Sequence, residues 1–175
     1  MKFVSAPLEG VYVINLDVLE DERGFFARTY CYDEFTKFGC NPKIMQSNLS
    51  FNHKKGTLRG MHFQKAPKEE AKLVRCVSGS IYDVIIDLRP DSSTYKEQFS
   101  IELSATNRKM LYVPEGFAHG FQTLMDNTEI LYQMTEFYSH EHGSGIKYND
   151  PVFNITWPME VSVISLKDQN YPDFL

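Results

Sequence analysis

The chain has 175 residues, of which 42% are hydrophobic and 23% are charged, so it is long enough for one globular domain with a full core. Its net charge of −5 excludes a nucleic-acid binder that depends on overall positive charge. No stretch approaches the roughly 20 apolar residues of a membrane span, and the N-terminus lacks the apolar run of a signal peptide.

Short β-rich runs separated by turns follow one another along the chain. The first covers 11–19, and a short helix is predicted at 32–39, with Asp33 as its N-terminal cap and Gly39 as its stop. Eight further runs are predicted as strands: 43–51, 57–64, 72–79, 80–89, 97–104, 109–116, 117–124 and 128–138. Their spacing of about ten residues predicts a single all-β domain over 1–175, of the jelly-roll type, with few helices.

Polar residues recur inside these predicted strands. Gln46 and Asn48 lie two apart and therefore share one face of their strand. Five more polar residues fall in or beside later strands: Arg59, His62, Lys72, His119 and Tyr132. Each alone is more often structural or exposed. Because every unpaired buried polar group costs roughly 1–3 kcal/mol, the whole set favours a polar pocket within the barrel.

Residues 113–119, VPEGFAH, resemble the second motif of the cupin superfamily, whose turn presents a histidine into the barrel. The first cupin motif would then be His62-Phe63-Gln64, followed by Glu69. Gln64 replaces an imidazole that would favour zinc, iron or copper, so only His62 and His119 remain as firm ligands. The sequence therefore predicts no metal, and a metal-dependent cupin stays as an alternative.

Seven stretches, in order and nearly from end to end, resemble one family: DERGFF (21–26), QSNLS (46–50), GTLRGMHFQ (56–64), KLVRCVSGSIYDVIIDLRPDSSTY (72–95), LYVPEGFAHGFQTL (111–124), YNDP (148–151) and TWP (156–158). These are motifs of the dTDP-4-dehydrorhamnose 3,5-epimerases, which act on nucleotide-linked 4-keto-6-deoxy sugars. The resemblance implies a cupin-like jelly roll, or double-stranded β-helix, that uses no cofactor. It also implies a homodimer in which the partner contributes the 21–26 segment to the site.

The resemblance assigns roles to matching residues. His62 corresponds to the general base, and Asp168 to the carboxylate that orients it. Tyr132 corresponds to the acid on the other face, and Lys72 to the cation near the 4-keto oxygen. Substrate-binding positions match Arg23, Phe26, Arg28, Gln46, Asn48, Arg59, His119, Tyr138 and Lys167.

The chemistry of epimerisation independently requires such a set. A 4-keto group acidifies the C–H bonds at C3 and C5, so a base, an enolate stabiliser and an opposing acid are needed. Neutral histidine, with a pKa of about 6.5, accepts a proton at neutral pH. A lysine aimed at the oxygen counters the developing negative charge. No redox cofactor is required, and the sequence has no GxGxxG fingerprint.

Two positions depart from the family pattern. Arg28 and Gly143 stand where the family commonly has Glu. The nucleotide, dTDP or CDP, and the inverted carbon, C3, C5 or both, therefore stay open. We expect a cytoplasmic isomerase that supplies a deoxysugar for a surface polysaccharide such as an O-antigen, or for a glycosylated product. A non-catalytic sugar-nucleotide binding module is the alternative from another class.

Several residues are predicted to have no role in the site. His53, His140 and His142 lie in polar or Gly/Ser-rich stretches and are expected at the surface. Asp83 and Asp87 are expected to be structural, in turns or paired with an arginine. Cys31, Cys40 and Cys76 have no CxxC spacing, which favours a reducing compartment.

Simple alternation in LRGMHFQ (58–64) puts Arg59 and His62 on opposite faces of one strand. The family roles require both in one pocket. The sequence therefore predicts a bulge or bend near Gly60.

Overall fold

A computed structural model describes residues 1–174. Its elements in chain order are β1 (Lys2–Ser5), β2 (Tyr12–Asn15), β3 (Leu19–Asp21), β4 (Gly24–Phe26), α1 (Tyr32–Lys37), β5 (Gln46–Asn52), β6 (Thr57–Gln64), β7 (Lys72–Ser78), β8 (Ser80–Asp87), β9 (Gln98–Ser104), β10 (Met110–Val113), β11 (Phe117–Thr123), β12 (Thr128–Met134), β13 (Gly143–Gly145), β14 (Val163–Ile164) and α2 (Leu166–Gln169).

The strands form two six-stranded sheets and a separate hairpin. The first sheet has the order β1-β2-β10-β7-β12-β5. The second has the order β13-β6-β11-β8-β9, and β14 pairs in parallel with β6. Within residues 1–174, strands β3 and β4 pair only with each other. The predicted all-β, cupin-like jelly roll is confirmed.

The core lies between the two sheets. Val74 of β7, Ile130 of β12 and Leu111 of β10 pack there against Ile81 and Ile85 of β8, and all are fully buried. Because successive side chains in a strand point to opposite faces, alternate residues of each strand fill this space. The same inner faces carry the site described below.

Helix α1 covers the outer face of the first sheet. Phe35 is buried and meets Phe3 at 5.2 Å between ring centroids. The predicted helix is confirmed, but Asp33 is not its cap, because Cys31 occupies that position without a side-chain cap. Asp33 instead lies within the helix, where a carboxylate favours the first turn. Neither helix in residues 1–174 has the length and apolar character needed to cross a bilayer.

Very short strands account for most differences from the predicted elements. The run at 11–19 divides into β2 and β3, and β3 turns away into its own hairpin. Strands β13 and β14 have only three and two residues, so they offer no periodic pattern to detect.

Asp87 holds the turn after β8, as expected for a structural carboxylate. Its Oδ2 accepts hydrogen bonds from Arg89 Nη2 at 2.6 Å, Ser92 Oγ at 2.6 Å and Thr94 Oγ1 at 2.7 Å. Burial opposes ionisation, but these bonds bring the pKa of Asp87 to about 2. Since the unfolded value is about 3.9, this contribution to stability is present above pH 4 and disappears as the pH falls towards 2.

Acid unfolding should therefore depend on Asp87. Asp87→Asn is expected to cost about 3 kcal/mol of unfolding free energy at pH 7, because Arg89 loses its charged partner. The difference from the wild type should shrink by about 2 kcal/mol between pH 5 and pH 2. Urea unfolding at several pH values measures this, with exposed Asp91→Asn as the control. An unchanged difference across that range would contradict the prediction.

Candidate active site

A cavity of about 280 Å³ continues the space between the sheets beyond the apolar core. Along β12, the inward residues run from buried Ile130 to Tyr132, and along β7 they run from Val74 to Lys72. Seven residues predicted for the site line this cavity: Arg59, His62, Lys72, His119, Tyr132, Tyr138 and Lys167. Strand alternation thus produces both the core and a polar chamber from the same strands.

The predicted bulge near Gly60 is confirmed. The pairing of β6 with β11 shifts by one residue between Arg59 and His62. Gly60 lies in this segment with φ of 132°, a conformation that favours glycine. A Cβ at Gly60 would lie only 2.5 Å from Cα of Gly120 on β11. The bulge lets Arg59 and His62 line one cavity.

His62 forms a hydrogen-bonded dyad with Asp168, a residue 106 positions away. Strand β14 lies beside β6 and leads into α2, which carries Asp168. His62 Nε2 is 2.8 Å from Asp168 Oδ1, and the Gly60 N–H donates to Oδ2 at 3.2 Å. Because Nε2 donates its hydrogen to the carboxylate, Nδ1 of the neutral imidazole keeps its lone pair.

The environment keeps the Asp168 carboxylate ionised. Burial favours its neutral form, but the hydrogen bond and charge of His62, with the Gly60 amide, lower the pKa of Asp168 below its usual value. The Asp168 side chain is 6% exposed, whereas that of His62 is 43% exposed. The carboxylate is therefore a fixed buried partner, and the imidazole is open to a ligand.

A second histidine–aspartate pair lies beside the first. His119 of β11 pairs directly with His62 of β6 in the sheet, and His119 Nε2 is 2.8 Å from Asp83 Oδ1. The expectation that Asp83 belongs to a turn or pairs with an arginine is wrong. Asp83 lies on the inner face of β8 between Ile81 and Ile85, and His119 is the only side chain among residues 1–174 that hydrogen-bonds its carboxylate.

Lys72 is a buried cation at the start of β7. Its Nζ is 2.6 Å from Oε1 of Glu70 and donates at 3.5 Å to the His62 carbonyl. The side chains of Lys72 and Glu70 are only 9% and 3% exposed, and both residues line the cavity. The Lys72 side chain is therefore held against the strand that carries His62.

Tyr132 lines the cavity from β12 of the first sheet, whereas His62 lies in the second sheet. Burial raises the pKa of the Tyr132 phenol, and the charge of Arg59 only partly opposes this. The phenol therefore carries its hydrogen at neutral pH and can donate it. Arg59 itself donates to Asn52 Oδ1 at 2.8 Å.

The rim of the cavity is formed by the loop after β12. Tyr138 is 54% exposed there, and its backbone N–H donates to Gln46 Oε1 at 2.5 Å. Gln46 and Asn48 lie on the same face of β5, as predicted, but neither lines the cavity. At Gly143, a Cβ would lie 3.5 Å from the Tyr138 hydroxyl, so the missing side chain widens this rim.

Three residues predicted to bind substrate lie away from the cavity of their own chain. Arg23 in the β3–β4 hairpin is bonded to Asp21, and its side chain is 84% exposed. Phe26 is 69% exposed, and Arg28 pairs with Glu34 at 3.5 Å. A single chain does not bring these three residues to His62.

The sequence analysis did not place Glu70 or Tyr171 in the cavity wall. Glu70 lies two residues before Lys72 and pairs with it, and the sequence alone does not show that this pair is buried. Gln64 is buried and bonded to the rim loop, with its Oε1 accepting from the Ser139 N–H at 2.6 Å. Tyr171 places its ring 5.9 Å from that of His62 at an angle of 69°.

The arrangement does not resemble a metal centre. Across residues 1–174, no group of three or more His, Cys, Asp or Glu side chains is gathered as a metal-binding cluster. His62 and His119 each use Nε2 to bond an aspartate. Gln64 stands at the position of a cupin metal ligand, but its side-chain amide hydrogen-bonds backbone groups of neighbouring loops.

The sequence of this chain matches one family of known proteins. A sequence model described as dTDP-4-dehydrorhamnose 3,5-epimerase matches residues 5–175. The enzyme of that name from Methanothermobacter thermautotrophicus is 42% identical over 173 residues, covering 97% of this chain and 92% of the relative.

Solved structures agree with this match. The dTDP-4-dehydrorhamnose 3,5-epimerase of Elizabethkingia anophelis superposes with a TM-score of 0.96 at 41% identity, covering 99% of this chain and 96% of the other. That of Bacillus anthracis, with TDP and pyrophosphate bound, gives 0.95 at 39% identity, covering 99% of each chain.

Proposed function

This chain belongs to the dTDP-4-dehydrorhamnose 3,5-epimerase family, and from that premise we propose that it inverts C3 and C5 of a dTDP-linked 4-keto-6-deoxyhexose. Membership makes the chain an isomerase of deoxysugar nucleotide metabolism. The observation that carries the proposed mechanism is the His62–Asp168 dyad, whose imidazole faces a polar cavity.

His62 removes the proton in this mechanism. The Nδ1 lone pair takes a proton from a carbon next to the carbonyl, and the C–H electrons move into an enolate whose charge rests on O4. Asp168 stabilises the imidazolium that forms and keeps Nε2 as the protonated nitrogen. Lys72 lies in the cavity wall with its Nζ 3.5 Å from the His62 carbonyl oxygen, and it would neutralise the enolate oxygen.

Tyr132 returns a proton to the opposite face of the sugar. Its phenol and the imidazole of His62 belong to opposing sheets, so a sugar ring between them would meet one on each side. The phenolate that results takes a proton from solvent, and the His62 imidazolium releases its Nδ1 proton to solvent, so both groups return to their starting states.

Tyr132→Phe should separate the two half-steps. Proton removal by His62 should continue, so deuterium from heavy water should enter the substrate with retained configuration, while inverted product falls by about 10²-fold or more. NMR of the recovered sugar distinguishes the two. Tyr82→Phe is the matched control, because Tyr82 does not line the cavity and its hydroxyl hydrogen-bonds Ser100 of the adjacent strand β9. Undiminished inversion would show that Tyr132 is not the acid.

The nucleotide is proposed to be dTDP. The Bacillus anthracis relative, which is bound to TDP, supports this choice. Arg59, Lys167 and Tyr138 surround the open side of the cavity and supply two cations and an aromatic ring for a nucleoside diphosphate.

Product stereochemistry tests the proposed function. The purified chain is given dTDP-4-keto-6-deoxyglucose and, separately, its CDP counterpart, and the products are followed by proton NMR. We expect inversion at both carbons and a higher kcat/KM with dTDP. Conversion of neither substrate would overturn the proposal, and a preference for CDP would overturn the choice of nucleotide.

The active form is proposed to be a homodimer that completes each site with the partner's hairpin. Arg23 lies in the turn of the β3–β4 hairpin and Phe26 at the end of β4, and both are highly exposed. Leu49 and Phe51 are also exposed, on the edge strand β5, at 61% and 42%. Exposed aromatic and aliphatic side chains on a sheet edge favour association with another copy of the chain.

A heterodimer of two defective chains tests this arrangement. One chain carries His62→Ala and the other Arg23→Glu, and the heterodimer is isolated with two affinity tags. If hairpins are exchanged, one site combines both intact residues, so activity should be about half that of the wild type. If each site is built within one chain, both sites remain defective and the heterodimer should match the inactive parents.

A further inference from the structure

Glu70 leaves one buried oxygen unused. Its Oε1 pairs with Lys72 Nζ at 2.6 Å, but its Oε2 is buried and has no hydrogen-bond partner among residues 1–174. The side chain is 3% exposed and lines the cavity. Buried carboxylate oxygens rarely remain unpaired, because desolvation is costly, so a free one in a cavity wall points to a ligand that donates a hydrogen.

Lys72 presents a complementary donor beside this oxygen. An ammonium group has three N–H donors, and two of them are directed to Glu70 Oε1 and the His62 carbonyl. The third is available to a ligand. The cavity wall therefore offers a donor and an acceptor side by side, held together by one ion pair.

We propose that Glu70 and Lys72 form a clamp for the α-hydroxyketone of the sugar, in which Lys72 donates to the C4 carbonyl and Glu70 Oε2 accepts from the C3 hydroxyl. The inference rests on the proposed function. In a 4-keto sugar with a C3 hydroxyl, the two oxygens are on adjacent carbons, which matches a donor and an acceptor joined by one ion pair. A charged acceptor gives a stronger hydrogen bond than a neutral one.

The clamp makes Glu70 a specificity-determining residue. A site built to pair with a substrate hydroxyl rejects the analogue that lacks it, because the protein group is then left buried and unpaired. A 3-deoxy sugar should therefore be a poor substrate even for chemistry at C5, a carbon that the hydroxyl does not touch. Deuterium exchange at C5 is thus a readout that does not require the C3 hydroxyl to react.

A cycle of two substrates and two enzymes tests the clamp. C5 exchange is measured with dTDP-4-keto-6-deoxyglucose and with its 3-deoxy analogue. The wild type should prefer the hydroxylated sugar by about 10- to 100-fold in kcat/KM. In Glu70→Ala, this preference should fall to within about threefold. Any general effect of losing the partner of Lys72 acts on both substrates and cancels in the ratio.

Glu70→Gln is a second variant that tests the clamp if Glu70→Ala does not fold. Its amide oxygen still accepts from Lys72, but an NH2 group replaces the free oxygen, so the preference should fall by at least about fivefold. Glu69→Gln is the control, because Glu69 lies next in sequence and does not line the cavity.

An unchanged preference in both Glu70 variants would overturn the clamp while leaving the epimerase intact. A wild type that exchanges C5 equally well in both sugars would overturn it as well. A wild type that exchanges neither sugar would overturn the proposed function and the clamp with it.

Discussion

Alanine in place of His62 is expected to lower deuterium exchange at C3 and C5 by at least about 10³-fold. The reason is geometric: Nδ1 of His62 is the uncharged basic nitrogen facing the cavity, and His119 uses its Nε2 to bond Asp83 behind the wall. Exchange is measured by NMR in heavy water with the dTDP-linked 4-keto sugar.

The fold should survive this change, since the His62 side chain is 43% exposed. Thermal melting checks that expectation. His53→Ala is the matched control, because His53 lies exposed in the loop before β6. Full exchange by His62→Ala would make the histidine structural and remove the basis of the mechanism.

Asparagine in place of Asp168 is expected to have the second-largest effect, a loss of about 10²- to 10⁴-fold in kcat with little change in KM. Asparagine keeps the size of the side chain but removes the charge that stabilises the imidazolium. Its NH2 group can also donate to Nε2, which would move the ring hydrogen to Nδ1 and block the base.

Separate measurement of kcat and KM distinguishes a role of Asp168 in orienting His62 from a role in substrate binding. Asp168 is buried behind His62, so a role in binding alone would raise KM and spare kcat. Asp173→Asn serves as the control, because that carboxylate is 59% exposed and pairs with Lys147 at 3.6 Å. A kcat equal to that of the wild type in Asp168→Asn would contradict the orienting role.

Strand alternation predicted the part of the site that depends on short-range geometry. Gln46 and Asn48 share a face because residues two apart always do in a regular strand. The conflict between Arg59 and His62 predicted a bulge near Gly60, which the shifted register confirms. These predictions needed only the two-residue period of a strand and the requirement that Arg59 and His62 line the same pocket.

The periodic pattern of the sequence could not predict contacts between residues that are far apart in the chain. Asp168 reaches His62 through the two-residue strand β14, and the resemblance, not the periodicity, indicated the pair. Asp83 was misjudged because its partner His119 lies on the neighbouring strand. The sequence did not indicate Glu70, because its significance depends on an unpaired buried oxygen that is visible only in the three-dimensional structure.

The hairpin residues show a different limit. Arg23 and Phe26 belong to a family motif, yet within one chain they lie away from the cavity. A sequence motif reports that residues serve a site, but not which copy of the chain they serve. The heterodimer experiment addresses that question directly.

Deuterium incorporation by the wild type shows whether this cavity removes protons on both sides of the sugar carbonyl. The enzyme is incubated in heavy water with dTDP-4-keto-6-deoxyglucose, and the recovered sugar is examined by mass spectrometry and NMR. We expect two deuterium atoms in the recovered sugar, one at C3 and one at C5. Label at a single carbon would contradict double inversion, and no label with either the dTDP- or the CDP-linked sugar would contradict the mechanism as a whole.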